Sequence, residues 1–329
     1  MKSSKEWIKN LFDLKPPRRL LFRVDAARIP GLSFGHLARC LILSKIIRET
    51  YRSENLFLMR NHPEGINHAS RSGEQVTIIP KETPFLEERR YVLDAFYEFN
   101  PDCMVIDLPY TDLDMSYYPI LRNHGAKLLF VDDFRFTDPG VDVLLNTSVL
   151  APAKTKIQPD GKTTYLLGPE YLIFDEELKK ETPVRKEGLT NVALTFGGSD
   201  PTGLTPKVLE ALLTEQWPQI FFRVFLGPGY SDCQSIEDLL GNRGQQFGIE
   251  RNAQSIIPFL RGCDFAVCAG GRTMYELLYL NKKFLPIATS DLEGEAVAEF
   301  LNQGLIPYGM TTWHPEDFME RLKNLLRSS

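Results

Sequence analysis

Cysteine is scarce. The five present, Cys40, Cys103, Cys233, Cys263 and Cys268, are odd in number, scattered in spacing and never form a Cys-x-x-Cys pair. A disulfide framework and a structural zinc site are thereby disfavoured; buried thiols in a reducing cytoplasm fit best. No apolar run approaches the ~20 residues that span a bilayer. The start of the chain has neither the apolar core nor the cleavage site of a signal peptide. A cytoplasmic location without stable membrane insertion is therefore expected. Long basic runs are also missing, and 38 Lys and Arg against 43 Asp and Glu leave a net charge of −5. That balance argues against a nucleic-acid partner. No Gly-Lys-Ser/Thr and no G-x-G-x-x-G occurs, which disfavours an ATPase and a nicotinamide enzyme of the usual kind. Nothing here demands a cofactor or a metal.

What is present points to a packed protein of 329 residues, 43% hydrophobic and 25% charged, long enough for two domains. Residues 1–19 carry Trp7, Ile8, Leu11, Phe12 and Leu14 among lysines and arginines. This is an N-terminal extension, an amphipathic helix that either packs on its own domain or touches a membrane or partner. Residues 20–174 read as one α/β domain. Short apolar strands (Leu20–Val24, Leu56–Met59, Gln75–Ile79, Asp102–Leu108, Leu128–Val131 and Val143–Leu145, the last of this half) alternate with helical patterns such as Tyr91–Phe99. Alternation of this kind means a parallel sheet with crossover helices. Residues 175–189 are charged, contain a proline and read as a linker. Residues 190–329 restart the pattern. Helices are expected at Pro206–Leu213, Ile236–Leu240, Glu295–Leu301 and His314–Leu326. The fold class is thus two Rossmann-like parallel-sheet domains facing a cleft.

In such domains the ligand crevice lies at the carboxyl ends of the strands. The second domain has two strand–glycine–helix turns there. One follows Val192–Phe196 and reads Gly197, Gly198, Ser199, Asp200; the other follows Asp264–Cys268 and reads Ala269, Gly270, Gly271, Arg272, Thr273. Glycine lets a backbone approach a ligand closely, and the N–H groups and dipole of the next helix favour an anion. A phosphate or diphosphate suits both turns; a tight turn with no ligand is the competing reading. Glu276 stands about a turn and a half into the second helix. There it could accept ribose hydroxyls, or be an exposed helix residue.

In the first domain a strand ending in Asp25 is followed by a glycine-bearing loop and a helix that opens Gly35-His36-Leu37. The helix dipole disfavours a charged imidazole at that position and keeps His36 neutral, which suits it to accept a proton. A capping or packing histidine is the alternative. Asp25, Asp107, Asp132 and Asp133 end strands and qualify for the crevice; each is otherwise a turn or cap residue.

Six stretches, in order, carry a resemblance: Phe22-Arg23-Val24-Asp25-Ala26, Phe34-Gly35-His36-Leu37-Ala38-Arg39-Cys40, Val131-Asp132-Asp133-Phe134, Leu167-Gly168-Pro169-Glu170-Tyr171, Phe196-Gly197-Gly198-Ser199-Asp200-Pro201 and Ala269-Gly270-Gly271-Arg272-Thr273-Met274-Tyr275-Glu276. The chain resembles the hydrolases that release UDP from UDP-2,4-diacetamido-2,4,6-trideoxy-β-L-altropyranose in pseudaminic acid synthesis, which are similar in fold to GT-B glycosyltransferases. The resemblance implies a GT-B-like fold and a UDP-sugar substrate. It makes His36 the catalytic histidine and places the diphosphate at Gly197, Gly198 and Ser199 and the ribose at Glu276. Beside these, Asp25 could orient His36 or bind a sugar hydroxyl, and Gly35, Arg39, Gly270, Gly271, Thr273 and Glu293 are further candidates for substrate binding. The chain departs from the pattern at Ser33, where a glycine is usual, at Asp175, where an arginine is usual, and at Glu293-Gly294, where Asn-Gln is usual. A carboxylate in place of an amide adds repulsion toward a diphosphate unless a proton or cation offsets it.

The expected chemistry is attack of water on the anomeric carbon while the nucleoside diphosphate leaves, stabilised by aimed N–H groups, with His36 as acid or base. Two other readings stand beside it. One is a GT-B glycosyltransferase that passes the sugar to another acceptor. The other is a nucleotide-sugar-binding protein without chemistry, which the Glu293-Gly294 segment favours.

Overall fold

The computed structural model describes residues 4–27, 29, 32, 34–110, 113–132, 135–158, 161–174, 188–227, 229–241, 246–251 and 255–327. Residues 28, 30, 31 and 33 of the first loop, Asp133, Phe134, and positions 175–187 of the expected linker lie outside them. The chain divides into two compact units, Met1–Phe174 and Asp175–Ser329.

The first unit opens with α1 (Ser4–Phe12) and β1 (Arg19–Val24), followed by α2 (Gly35–Tyr51), β2 (Glu54–Arg60), α3 (Pro63–Arg71), β3 (Gln75–Ile79) and α4 (Phe85–Phe99). It continues with β4 (Cys103–Asp107), α5 (Tyr118–Asn123), β5 (Lys127–Val131), β6 (Val143–Asn146), α6 (Ala151–Lys154) and β7 (Thr164–Leu167). Its seven strands form a parallel sheet in the order β3-β2-β1-β4-β5-β6-β7. The order reverses between β1 and β4, where Val24 lies opposite Asp107. That is the switch point at which open parallel sheets place ligands.

Local sequence accounts for these elements. α2 buries Leu37, Cys40, Leu43, Ile46 and Ile47, spaced three and four apart, so one apolar stripe faces the sheet. Burial of each leucine or isoleucine contributes about 1.5–3 kcal/mol. The amphipathic N-terminal segment forms α1 and packs on its own unit. Trp7, Ile8 and Phe12 join the core around Leu20, Phe22, Leu43 and Ile47, and the Ser4 hydroxyl donates to Leu172 O and accepts from Phe174 N. Val143–Leu145 is not the last strand of this half. β7 pairs in parallel beside β6; its partly exposed residues give a weaker apolar signal than the inner strands.

The second unit contains β8 (Thr190–Thr195), α7 (Leu204–Leu213), β9 (Ile220–Leu226), α8 (Cys233–Leu240), β10 (Phe247–Arg251) and α9 (Ile257–Arg261). It ends with β11 (Phe265–Ala269), α10 (Arg272–Tyr279), β12 (Lys283–Ile287), α11 (Asp291–Asn302) and α12 (Pro315–Arg327). Five parallel strands run β10-β9-β8-β11-β12. β8 and β11 are neighbours, with Thr195 opposite Cys268, so the two glycine turns emerge side by side at this sheet's switch point. Its main core gathers Val192, Leu194, Val208, Leu212, Phe222, Val267, Leu285 and the buried stripe Phe318, Leu322, Leu325 of α12. Among the described residues no helix is long and apolar enough to cross a membrane.

Candidate active site

In the first unit the chain leaves β1 at Val24 and re-enters helix at Gly35. His36 is thus in the first turn of α2, where Phe34, in the N-cap position, offers no capping oxygen. Its Nδ1 lies 2.7 Å from Oδ1 of Asp107, the last residue of β4 and fully buried. Arg39, one turn along α2, closes on the same carboxylate: Nε donates to Oδ2 and Nη2 to Oδ1, each at 2.5 Å. Nη2 also lies 3.0 Å from His36 Nδ1. Burial alone would raise the pKa of Asp107; the Arg39 guanidinium and then the His36 ring outweigh it and hold the carboxyl well below the usual carboxylate range. An ionised Asp107 at 2.7 Å can only accept, which assigns the proton of a neutral ring to Nδ1 and leaves the lone pair on Nε2.

This arrangement corrects one expectation. Asp25 does not orient His36; Asp107 does. Asp25 is fully buried and both its oxygens are engaged: Oδ1 accepts from Arg23 Nη1 at 2.7 Å and Arg60 N at 2.6 Å, Oδ2 from Arg23 Nη2 at 2.8 Å and Tyr110 OH at 2.9 Å. Arg23 and Arg60 also share Glu88, at 2.6 Å each. Two arginines and two acids therefore form a charge-balanced cluster under the ends of β1 and β2, with no side chain left for a sugar hydroxyl. Asp132 takes the turn role, accepting from the N–H groups of Arg135 at 2.9 Å and Phe136 at 2.6 Å.

A helix missed in the sequence steadies the His36 loop. α3 sets Gly65 against Ala26, so closely that a Cβ on Gly65 would meet Ala26 O at 2.2 Å. The His68 ring of α3 packs edge-on against Phe34 at 5.8 Å. At the start of α3, His62 is buried at the end of β2; burial lowers its pKa, more than the nearby Asp25 raises it. The signal for this element was Pro63 at its first position, which pre-sets helical φ.

In the second unit the first glycine turn differs from its expected form. α7 starts at Leu204, two residues before the expected Pro206, and its first N–H groups are already bonded: Leu204 N donates to Asp200 Oδ1 at 2.8 Å and Thr205 N to Oδ2 at 2.7 Å. Asp200 thus supplies the anion that the helix dipole favours. Gly198 meets the loop after β9, where Gly229 N donates to Gly198 O at 2.7 Å; a Cβ on Gly227 would lie 2.6 Å from Gly198 Cα. Close backbone packing therefore needs glycine at Gly227 and Gly229, where an added Cβ would lie 2.6 and 2.8 Å from Gly198 atoms.

The second turn leads straight into α10, with Gly271 as N-cap and Thr273 in the first turn. Gly270 N donates to Ile287 O at 2.9 Å. Glu276 is buried and accepts from Arg272 Nε at 2.9 Å, so it is not an exposed helix residue. Glu293 lies beside the turn: a Cβ on Gly271 would stand 3.0 Å from its Oε1. Oε2 accepts from Thr289 N at 2.8 Å and Thr289 Oγ1 at 2.6 Å, while Glu293 N donates to Ser290 Oγ at 3.3 Å. Ser290-Asp291-Leu292-Glu293 is a variant capping box, which starts α11 four residues before the expected Glu295. The structure thus gathers Gly270, Gly271, Thr273, Glu276 and Glu293 around one turn, and His36 and Arg39 around Asp107. Among the described residues no group of three His, Cys, Asp or Glu is suited to a metal ion.

Comparison with known proteins agrees with this architecture. No family model matches the chain. An uncharacterised protein of Methanocaldococcus jannaschii is 25% identical over 285 residues, 83% of this chain; the match covers 56% of that relative's length. The spore coat polysaccharide biosynthesis protein SpsG of Bacillus subtilis is 24% identical over 274 residues, 82% of this chain and 78% of that protein. Among solved structures, the glycotransferase of kitacinnamycin aligns with a TM-score of 0.62 at 13% identity, over 94% of this chain and 91% of that one. MurG of Acinetobacter baumannii aligns at 0.60 and 12% identity, over 94% and 91%. Anabaena HepE, crystallised with UDP-glucose, aligns at 0.59 and 13% identity, over 94% and 90%. At these identities the likeness is one of fold, and the fold is GT-B-like.

Proposed function

We propose that this chain is a nucleotide-sugar enzyme of glycan assembly, and that it hydrolyses a UDP-linked diacetamido-trideoxy sugar of the kind that leads to pseudaminic-type acids. The observation that carries the reading is the His36–Asp107 pair: a histidine at a helix start, held through Nδ1 at 2.7 Å by a buried carboxylate at the sheet's switch point. A neutral imidazole so held presents Nε2 as a base, and the fixed carboxylate stabilises the imidazolium that forms. In the proposed step Nε2 takes a proton from water as the water oxygen bonds to the anomeric carbon. The bond from that carbon to the diphosphate oxygen breaks, and UDP leaves with the electron pair. The second unit binds the nucleotide, through the amides of Gly197–Ser199 and Gly270–Thr273, with Glu276 at the ribose. Support comes from the side-by-side glycine turns, the role of SpsG in spore coat polysaccharide biosynthesis and the UDP-glucose bound by HepE.

A second reading, transfer of the sugar to another acceptor, is favoured by the likeness to glycosyltransferase structures. Both use the same base. The test is UDP release from the UDP-sugar, measured with and without added acceptor. Release with water alone supports the hydrolase; release only with an acceptor supports the transferase. Binding without release under either condition contradicts both.

A further inference from the structure

We infer that Arg39 is a positioning residue: its guanidinium fixes the Asp107 carboxylate so that His36 is held with its proton on Nδ1 and its lone pair on Nε2. The inference rests on the reading of His36 as the base, and it replaces a direct role for Arg39 at the substrate.

Three distances carry it. Arg39 grips both Asp107 oxygens, Nε to Oδ2 and Nη2 to Oδ1 at 2.5 Å each. The second of those oxygens is the one that faces His36 Nδ1, at 2.7 Å, so Arg39 Nη2 and His36 Nδ1 converge on one acceptor. Without the guanidinium the carboxylate could turn about its own axis and carry its oxygen out of line with Nδ1. The planar fork removes that freedom, because two parallel N–H bonds define the carboxylate plane. His36 and Arg39 are three apart on α2, so one helix face delivers both groups to one acid. Side-chain exposure is 0% for Asp107, 11% for Arg39 and 12% for His36, so the carboxylate is the buried centre on which both side chains converge. Cys40 Sγ, 3.5 Å from Oδ2, closes the other side.

The contact has a consequence for charge. Arg39 balances Asp107 permanently, so the cluster is neutral while the imidazole is neutral. It becomes singly positive when Nε2 takes a proton. Lysine cannot replace this: a single ammonium cannot hold both oxygens in one plane.

The test is ring-nitrogen NMR of histidine-labelled full-length protein, wild type and Arg39→Lys, with the His36 signals assigned by their loss in His36→Gln. The neutral wild-type ring is expected in the Nδ1–H form, and Arg39→Lys to show a mixture with Nε2–H. On the UDP-sugar, Arg39→Lys should lower kcat about 10- to 100-fold, the scale seen when a residue supporting a first contact is removed, with KM changed less than about twofold. A raised KM with kcat kept and an unchanged tautomer would overturn the inference in favour of substrate binding. If no nucleotide-sugar is turned over, the proposed reaction fails by itself, and the tautomer of the free protein still decides the role of Arg39. Should Arg39→Lys fail to fold, Arg39→Gln with and without added guanidinium replaces it. Restoration of the Nδ1–H form by the ion supports the inference; no response overturns it.

Discussion

Two acids at strand ends illustrate how side chains of one type part ways. Asp25 and Asp107 follow neighbouring strands and both are buried, yet one closes a structural ion cluster and the other holds the histidine. Removal of a partner from a buried ion pair costs about 3–5 kcal/mol. Asp25→Ala should therefore lower the urea midpoint sharply, and lose activity only in proportion to unfolded protein. Asp107→Asn also weakens a buried ion pair, with Arg39, but its mark is on turnover: kcat per folded molecule should fall by a large part of the roughly 100- to 10,000-fold that general-base catalysis contributes, while nucleotide binding persists in calorimetric titration. The pH dependence of stability follows from the same residue. The folded-state pKa of Asp107 lies below its unfolded value, which for aspartate is about 3.9. Its contribution is then fully present above that value and is lost as pH falls below it toward the folded pKa. The stability difference between wild type and Asp107→Asn should shrink as the pH drops below about 4. His36 was legible from its place at a helix start. Asp107 was legible only as one of four acids at strand ends, because a bond between residues 71 apart depends on a sheet order that no local pattern contains.

Among the elements, the glycine turns show how a helix start can be misread. The sequence Gly197-Gly198-Ser199-Asp200 predicts a free helix N-terminus, but Asp200 bonds Leu204 N and Thr205 N. Asp200→Ala should destabilise the second unit by about 1–2 kcal/mol, the usual worth of a cap, without weakening UDP binding measured by titration. Lost UDP binding at retained stability would put Asp200 in the site. Gly65→Ala tests the clamp of α3 on the His36 loop: the added Cβ would lie 2.2 Å from Ala26 O. Overpacking of this kind costs about 1–3 kcal/mol, and kcat should fall with stability in a thermal-melt and activity comparison. The central strands and α2, α7 and α12 were legible because their apolar spacing is unbroken. α3 was missed because its buried residues, Gly65 and Ala69, carry little hydrophobic signal. α11 was shortened because its first turn is acidic, although acids in a first turn are what the dipole favours. β7 was missed because an edge strand need not be apolar on both faces.

For the whole molecule, alternation of strand and helix made two parallel-sheet units readable, and the sheet orders then bring each pair of candidate segments to a switch point. Sugar and acceptor are less legible, since they depend on side chains outside the regular spacing, with Glu293 the clearest example: it stands beside the second glycine turn, bonded to Thr289. Glu293→Gln should tighten UDP binding if the diphosphate approaches Gly271, because a like charge is removed from beside it; unchanged affinity in calorimetric titration would place the diphosphate elsewhere. The central claim, that His36 is the base of a reaction that frees UDP from a sugar, is tested most directly by one assay. UDP release from a UDP-linked diacetamido-trideoxy sugar is followed in water alone, for wild type and His36→Gln. Steady release is expected from wild type and a loss of about 100-fold or more in the variant, with UDP affinity unchanged. Release that is equal in the two proteins, or absent from wild type although UDP binds, would contradict it.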